Sequence, residues 1–158
     1  MKGAMRPVEV ANRHPRLKVD RRAVRAAIGV LDLHAERFMG GCPQGALSVA
    51  FLGDPALARL HGEYLGDPSA TDVLTFGGDP AHRLAGEICV SVDAAARESG
   101  RAPAPLSREL TLYVVHGWLH LAGYDDLRPA AKRAMRRAEA RAMRILGRSA
   151  AVPRFKLA

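Results

Sequence analysis

Two rhythms of hydrophobic positions dominate the chain. Leu47, Val49 and Phe51 alternate with Ser48, Ala50 and Leu52, the period-two pattern of a strand. Leu110, Leu112, Val114, Val115, Trp118, Leu119 and Leu121 instead cover nearly every side of a helix, which places that helix in the centre of a domain rather than on its surface. Val8 to Asn12 reads as a short first strand, His14-Pro15 breaks the chain, and Asp20 is a fitting N-cap for a helix running to about Met39. Gly40 to Gly45 is a loop with neither the order of a phosphate-binding loop nor that of a dinucleotide fingerprint, so no ligand is assigned to it. Asp54-Pro55 supplies an N-cap and an N1 proline for a helix ending near Gly66. Thr71 to Phe76 and Glu87 to Val92 are further strands, and Asp93 opens a helix that stops at Gly100. After a connector marked by Pro103 and Pro105, Ser107 is positioned to cap the apolar helix.

A last helix follows Pro129 and runs to about Gly147, with Ala131, Ala134, Met135, Ala138, Ala142, Ile145 and Leu146 inward. Lys132, Arg133, Arg136, Arg137, Arg141 and Arg144 occupy its other side, which is either a solvated face or a phosphate-contacting surface. Residues 149–158 are expected to form a loose tail. At 158 residues the whole chain, 1–158, suits one domain with a real core and is short for two. There is no internal repeat.

Charge narrows the partners. Lysine and arginine number 24 against 16 acidic residues, a net +8, which favours RNA, DNA or an anionic surface. The two cysteines, Cys42 and Cys89, form no C-x-x-C pair, which suits a reducing cytosol. Met1 to Asp20, broken by Pro7, Pro15 and many charges, lacks the order of a secretion signal. The most apolar window, Leu110 to Gly123, is shorter than the ~20 residues of a membrane span, so no membrane partner is expected.

The densest chemistry lies in His116-Gly117-Trp118-Leu119-His120-Leu121-Ala122-Gly123-Tyr124-Asp125-Asp126. Histidines four apart on a helix project from one face, one turn above the other. Glycine takes the left-handed conformation without a Cβ penalty, so Gly123 can stop the helix and swing Asp126 back toward them. His116, His120 and Asp126 then make the three protein ligands of a catalytic zinc site, with a fourth position left for water. An i, i+4 histidine pair can also be two hydrogen-bonded core residues; the glycine and the carboxylate in register favour the metal. Asp125 is the alternative ligand, or a support or catalytic group, but the offset of Asp126 better matches histidine-glycine-third-ligand spacings. Gly117 stands where H-E-x-x-H proteases carry their glutamate base, which disfavours peptide hydrolysis. Serine-hydrolase chemistry is also disfavoured, since no serine lies in a G-x-S-x-G elbow. Glu109, roughly 10 Å along the helix from His116, reads as a structural acid.

This run resembles the signature H-G-x-L-H-L-x-G-Y-D-H of the YbeY-type endoribonucleases, with Asp126 at the last position. Thr71-Asp72-Val73-Leu74-Thr75-Phe76 is similar to the family segment T-D-V-L-S-F, and Gly86-Glu87-Ile88 to G-D-I. The resemblance spans roughly residues 45 to 145. It implies an α+β fold with a small, about four-stranded mixed sheet around a central buried helix carrying H-x-x-x-H. It also implies one divalent metal, usually zinc, and a role in maturation or quality control of ribosomal RNA. In the family the third ligand is a histidine, and an arginine stands shortly before T-D-V-L where this chain has Leu65; Arg59 and His61 are the nearest cations and out of register. A carboxylate in place of an imidazole lowers the site's positive charge and admits harder ions such as manganese.

The expected function is therefore a metal-dependent, single-strand endoribonuclease of the cytoplasm, acting on ribosomal RNA with the small ribosomal subunit or assembly factors as partners. Thr71, Asp72 and Thr75 would border the RNA groove. The alternatives are a non-catalytic ribosome-assembly factor with a structural metal, and a metal-dependent hydrolase of another substrate.

Overall fold

Alternating and continuous apolar runs fold into one mixed sheet with helices on both faces. A computed structural model of the chain describes residues 5–65 and 71–158, Leu65 by its backbone alone. In chain order the elements are β1 Val8–Asn12, β2 Leu17–Val19, α1 Arg21–Leu33, β3 Ala46–Leu52, α2 Asp54–Leu65, β4 Val73–Asp79, β5 Leu84–Ser91, α3 Val92–Ser99, α4 Pro103–Ala122, α5 Pro129–Arg148 and β6 Phe155–Leu157. Short 3-10 turns occupy Ala35–Arg37 and Pro80–His82.

The main sheet has the order β1-β3-β5-β4. Strands β1 and β3 run parallel, with Val10 opposite Val49, as do β3 and β5, with Val49 opposite Ile88. Strand β4 closes the sheet antiparallel to β5, with Thr75 opposite Ile88, and no strand among the described residues pairs with its outer edge. This is the single-domain α+β architecture with a four-stranded mixed sheet that the sequence implied.

Strand periodicity decides which core each side chain joins. Leu47, Val49, Phe51, Ile88 and Val90 share one face and pack with α1, α4 and α5 in the main core. Ala50, Leu52, Leu74 and Cys89 point the other way and meet Leu57 of α2 in a smaller core. Helix α4 lies across the first face. Its Trp118 is fully buried, edge-on to Phe38 at 5.5 Å between ring centroids, and donates its indole N–H to Asp32 Oδ1 at 3.1 Å. Arg6 holds the same carboxylate at 2.8 Å, tying the start of the chain to α1 and α4.

Several boundaries differ from those the pattern suggests. Helix α1 stops at Leu33 rather than near Met39, because a tightened 3-10 turn carries Phe38 inward against Trp118 and the chain then turns through positive φ at Met39, Gly40 and Gly41. Leu31 and Phe38 are both buried seven residues apart, which mimics an unbroken helix. Strand β4 runs three residues past Phe76, pairing to Asp79 opposite Leu84. Ser91, not Asp93, caps α3: its Oγ accepts from Ala94 N at 3.0 Å, while Asp93 accepts from His14 Nε2 at 2.9 Å and Asp54 N at 2.8 Å. Helix α4 begins at Pro103, since prolines are tolerated in a first turn where no intrahelical N–H bond is lost. Ser107 is consequently inside the helix and buried, its Oγ accepting from Phe155 N at 2.8 Å. That bond corrects the expectation of a loose tail over 149–158: β6 pairs antiparallel with β2, and Phe155 packs on Phe51 at 5.2 Å. The expected end of α2 near Gly66 lies outside the described residues.

Candidate metal centre

The last turn of α4 presents His116 and His120 on one face, ring centroids 4.6 Å apart and nearly perpendicular. Gly123 ends the helix with φ of +114°, which a Cβ-bearing residue rarely adopts. Its N–H bonds back to His120 O at 3.0 Å, and Tyr124 N bonds to Leu119 O at 3.0 Å, closing the helix end. The chain then reverses. Asp125 Oδ1 accepts from the backbone N of Asp126 at 2.7 Å and of Leu127 at 3.1 Å, a local turn that holds Asp126 in place.

As a result Asp126 Oδ2 lies 3.4 Å from His116 Nε2 and 3.6 Å from His120 Nε2, and the three ligating atoms fall within 4.8 Å of one another. Each histidine is fixed from behind. Glu139 Oε2, from α5, lies 2.6 Å from His116 Nδ1, and the Tyr124 carbonyl lies 3.1 Å from His120 Nδ1. An acceptor at each Nδ1 places the ring proton there, leaving both Nε2 lone pairs turned inward. Three acceptors then converge with no donor among them, an arrangement that calls for a cation. The two carboxylate–imidazole separations suit one as well: with bonds of about 2.0–2.2 Å, the edge of a tetrahedron is roughly 3.3–3.6 Å.

Electrostatics agree. Burial by itself would lower the basicity of His116, but the hydrogen bond and charge of Glu139, with Asp126 and Asp72 farther off, outweigh it and hold the imidazole above its ordinary pKa. The same negative surroundings that favour a proton there favour a metal ion.

The expected groove residues separate. Thr75 faces a cleft of about 1110 Å³ that reaches His120 and is bordered by β4, Arg83 and the Pro43–Ala46 loop. Its Oγ1 is shielded from solvent and finds no hydrogen-bond partner among the described residues. Asp72 is exposed and lines a smaller cavity of about 220 Å³ on the His116 side, with Asp126, Lys132, Arg136 and Glu139. Thr71 sits beyond it, in an adjoining polar depression with Arg97, Tyr113 and Arg136. Helix α2 ends at Leu65, whose side chain lies outside the described residues. Gly117 is accounted for by space: a Cβ there would stand 2.4 Å from Ile88 Cγ2, so α4 meets β5 too closely for any side chain, a glutamate included. Glu139 escapes a reading of local motifs, although it is the lone acid in a helix otherwise rich in arginine.

Comparison with known proteins assigns the chain to a family. The family model described as Endoribonuclease YbeY matches residues 9–147. A protein named Endoribonuclease YbeY from Anaeromyxobacter sp. (strain Fw109-5) is 34% identical over 148 residues, 89% of this chain and 72% of that one. Its namesake from Geobacter sulfurreducens is 33% identical over 82% of this chain and 87% of its own length. The Rhodopirellula baltica namesake is 37% identical over 68% of this chain, a stretch that makes up 57% of that protein. The solution structure of TM1509 from Thermotoga maritima superposes with a TM-score of 0.57 at 21% identity, covering 89% of this chain and 90% of that one, a likeness of fold. Matched from the first strand almost to the end of α5, the chain belongs to the endoribonuclease YbeY family.

Proposed function

We propose that the chain is a metal-dependent endoribonuclease that cuts single-stranded segments of ribosomal RNA during maturation and quality control, with His116, His120 and Asp126 holding one divalent ion, zinc by ligand type. One observation carries the reading: two imidazole lone pairs and a carboxylate oxygen converge while Glu139 and the Tyr124 carbonyl fix the rings from behind. A bound ion would supply Lewis-acid stabilisation of negative charge developing on a phosphodiester. The protein's own part is to hold that position rigid, since α4 is buried among α1, α5 and the sheet. The outer edge of β4 and Thr75 border the path by which a strand reaches His120. Asp125 serves as the support of the Asp126 turn, its Oδ1 being committed to two backbone amides. Net charge of +8 suits an RNA partner, here the small ribosomal subunit in the cytoplasm. No helix among the described residues is long and apolar enough to cross a membrane.

A non-catalytic assembly factor with a structural ion is the second reading, favoured by the fact that the only acid adjoining Asp126 in sequence is tied into a turn. Elemental analysis of the purified chain, then incubation of wild type, His116→Ala and His120→Ala with precursor ribosomal RNA, decides between them. Loss of bound metal and of cleavage in both variants is expected. Equal cleavage by all three proteins would refute the catalytic ion, and lost stability with no wild-type cleavage would favour the structural one.

A further inference from the structure

The cavity on the His116 side holds an unexplained pair of cations. Lys132 and Arg136 lie four residues apart on α5, hence one above the other on one face, and both line the 220 Å³ cavity with His116 and Asp126. Both are exposed, and neither makes an ion pair among the described residues. Arg136 also lines the adjoining depression, so it stands where the two hollows meet. Arg133 and Arg137, on the same helix and equally exposed, line neither hollow.

The other cations around the cluster are differently disposed. Arg6 is spent on Asp32 and on the carbonyls of Cys42 and Gly45. Arg97 is paired with Asp54. Among the described residues, Lys132 and Arg136 are the two lysine or arginine side chains that line the cavity with His116.

We propose that Lys132 and Arg136 form a phosphate-binding subsite for a single-stranded polynucleotide, seating the phosphates next to the one at the ion. An ammonium acts as a compact point charge and a guanidinium as a planar fork, and together they can hold two backbone phosphates in sequence. The carboxylates of Asp72, Glu109, Asp126 and Glu139 line the same cavity. They outnumber the two cations, so the subsite repels a polyanion until a divalent ion offsets them, and phosphate binding there depends on the metal. The inference rests on the RNA-directed reading above and specifies which side of the cluster the strand follows.

The test is fluorescence anisotropy of a labelled single-stranded RNA, titrated at several salt concentrations with zinc-loaded wild type, Lys132→Ala, Arg136→Ala and the double variant, with Arg133→Ala/Arg137→Ala as the control of equal charge change. Removing one cation that neutralises a phosphate should flatten the dependence of log K on log salt by about 0.7, and removing both should flatten it by about 1.4. The control should keep the wild-type slope, and chelating the ion from wild type should weaken binding at every salt concentration. An equal flattening in the control would show a diffuse basic face and overturn the subsite. Unchanged slopes in the double variant, with wild type still binding RNA, would also overturn it while leaving the nuclease reading intact. A wild type that binds no RNA at any salt concentration would refute both.

Discussion

Helices α4 and α5 are each twenty residues long and meet at the same cluster, yet they carry different kinds of information. Ten residues of α4 are buried, against six of α5. Burial makes α4 a structural axle, along which the two imidazoles stay half-buried with their edges turned to the cluster. Helix α5 is amphipathic, and its contribution lies on the boundary between its faces, where Glu139 reaches His116 and Lys132 and Arg136 reach the cavity. The two histidines repeat the contrast in miniature. His120 is oriented by a carbonyl four residues away, inside its own turn, whereas His116 is oriented by a carboxylate 23 residues away on another helix. One half of the cluster is built by local chain geometry and the other by tertiary packing.

The widest break between the helices should come from truncating α4. Trp118→Ala removes a fully buried indole, its edge packing on Phe38 and its hydrogen bond to Asp32. The expected loss is about 3–5 kcal/mol of stability, a large share of the roughly 5–15 kcal/mol typical of a domain, read by urea unfolding. A loss under about 1 kcal/mol would mean that α4 is no more an axle than α5.

Glu139→Ala should do the reverse, leaving the fold nearly as stable while loosening His116. Carboxylates behind a ligating histidine typically account for 10- to 100-fold in metal affinity. Competition titration with a zinc chelator is expected to show a drop within that range, with the urea midpoint little changed. An affinity equal to wild type would show that His116 needs no tertiary support, and the contrast with His120 would collapse.

The same division explains what can be read from sequence. The left-handed helix stop at Gly123, the one-turn spacing of the histidines and the return of Asp126 are local, so they are legible in eleven consecutive residues. Glu139 is not, because nothing in the α5 pattern says which boundary residue faces α4. Gly117 illustrates an intermediate case: its identity is visible, while its reason, an approach of 2.4 Å between a built Cβ and Ile88, needs the sheet. The ordered tail is hidden for a related cause. Three residues are too few to declare a strand, and Phe155 is held by Ser107, 48 residues away, and by β2. The end of α1 is hidden because Leu31 and Phe38 keep helical phase across a turn that is not α-helical.

A junction outside both helices gives the comparison its baseline. Asp54, at the first turn of α2, accepts from Ser91 Oγ at 2.7 Å and pairs with Arg97 of α3. The Arg97 hydrogen bond is the main cause that holds its carboxyl below the usual value; burial opposes this, and Ser91 adds to it. A carboxyl whose pKa is lower folded than unfolded stabilises the fold fully above the unfolded value of about 3.9, and that contribution disappears as pH falls through the folded value. Arg97 is well exposed, so the effect should be the smallest of the three. Asp54→Asn is expected to lower the urea midpoint slightly at pH 7, with the gap from wild type closing as pH falls below about 4 and through the folded value. Metal affinity should be the same in both proteins at pH 7, since nothing in this pair touches His116 or His120. If the gap persists unchanged as pH is lowered until the Asp54 carboxyl is protonated, its charge is irrelevant and the substitution acts through the Ser91 hydrogen bond alone.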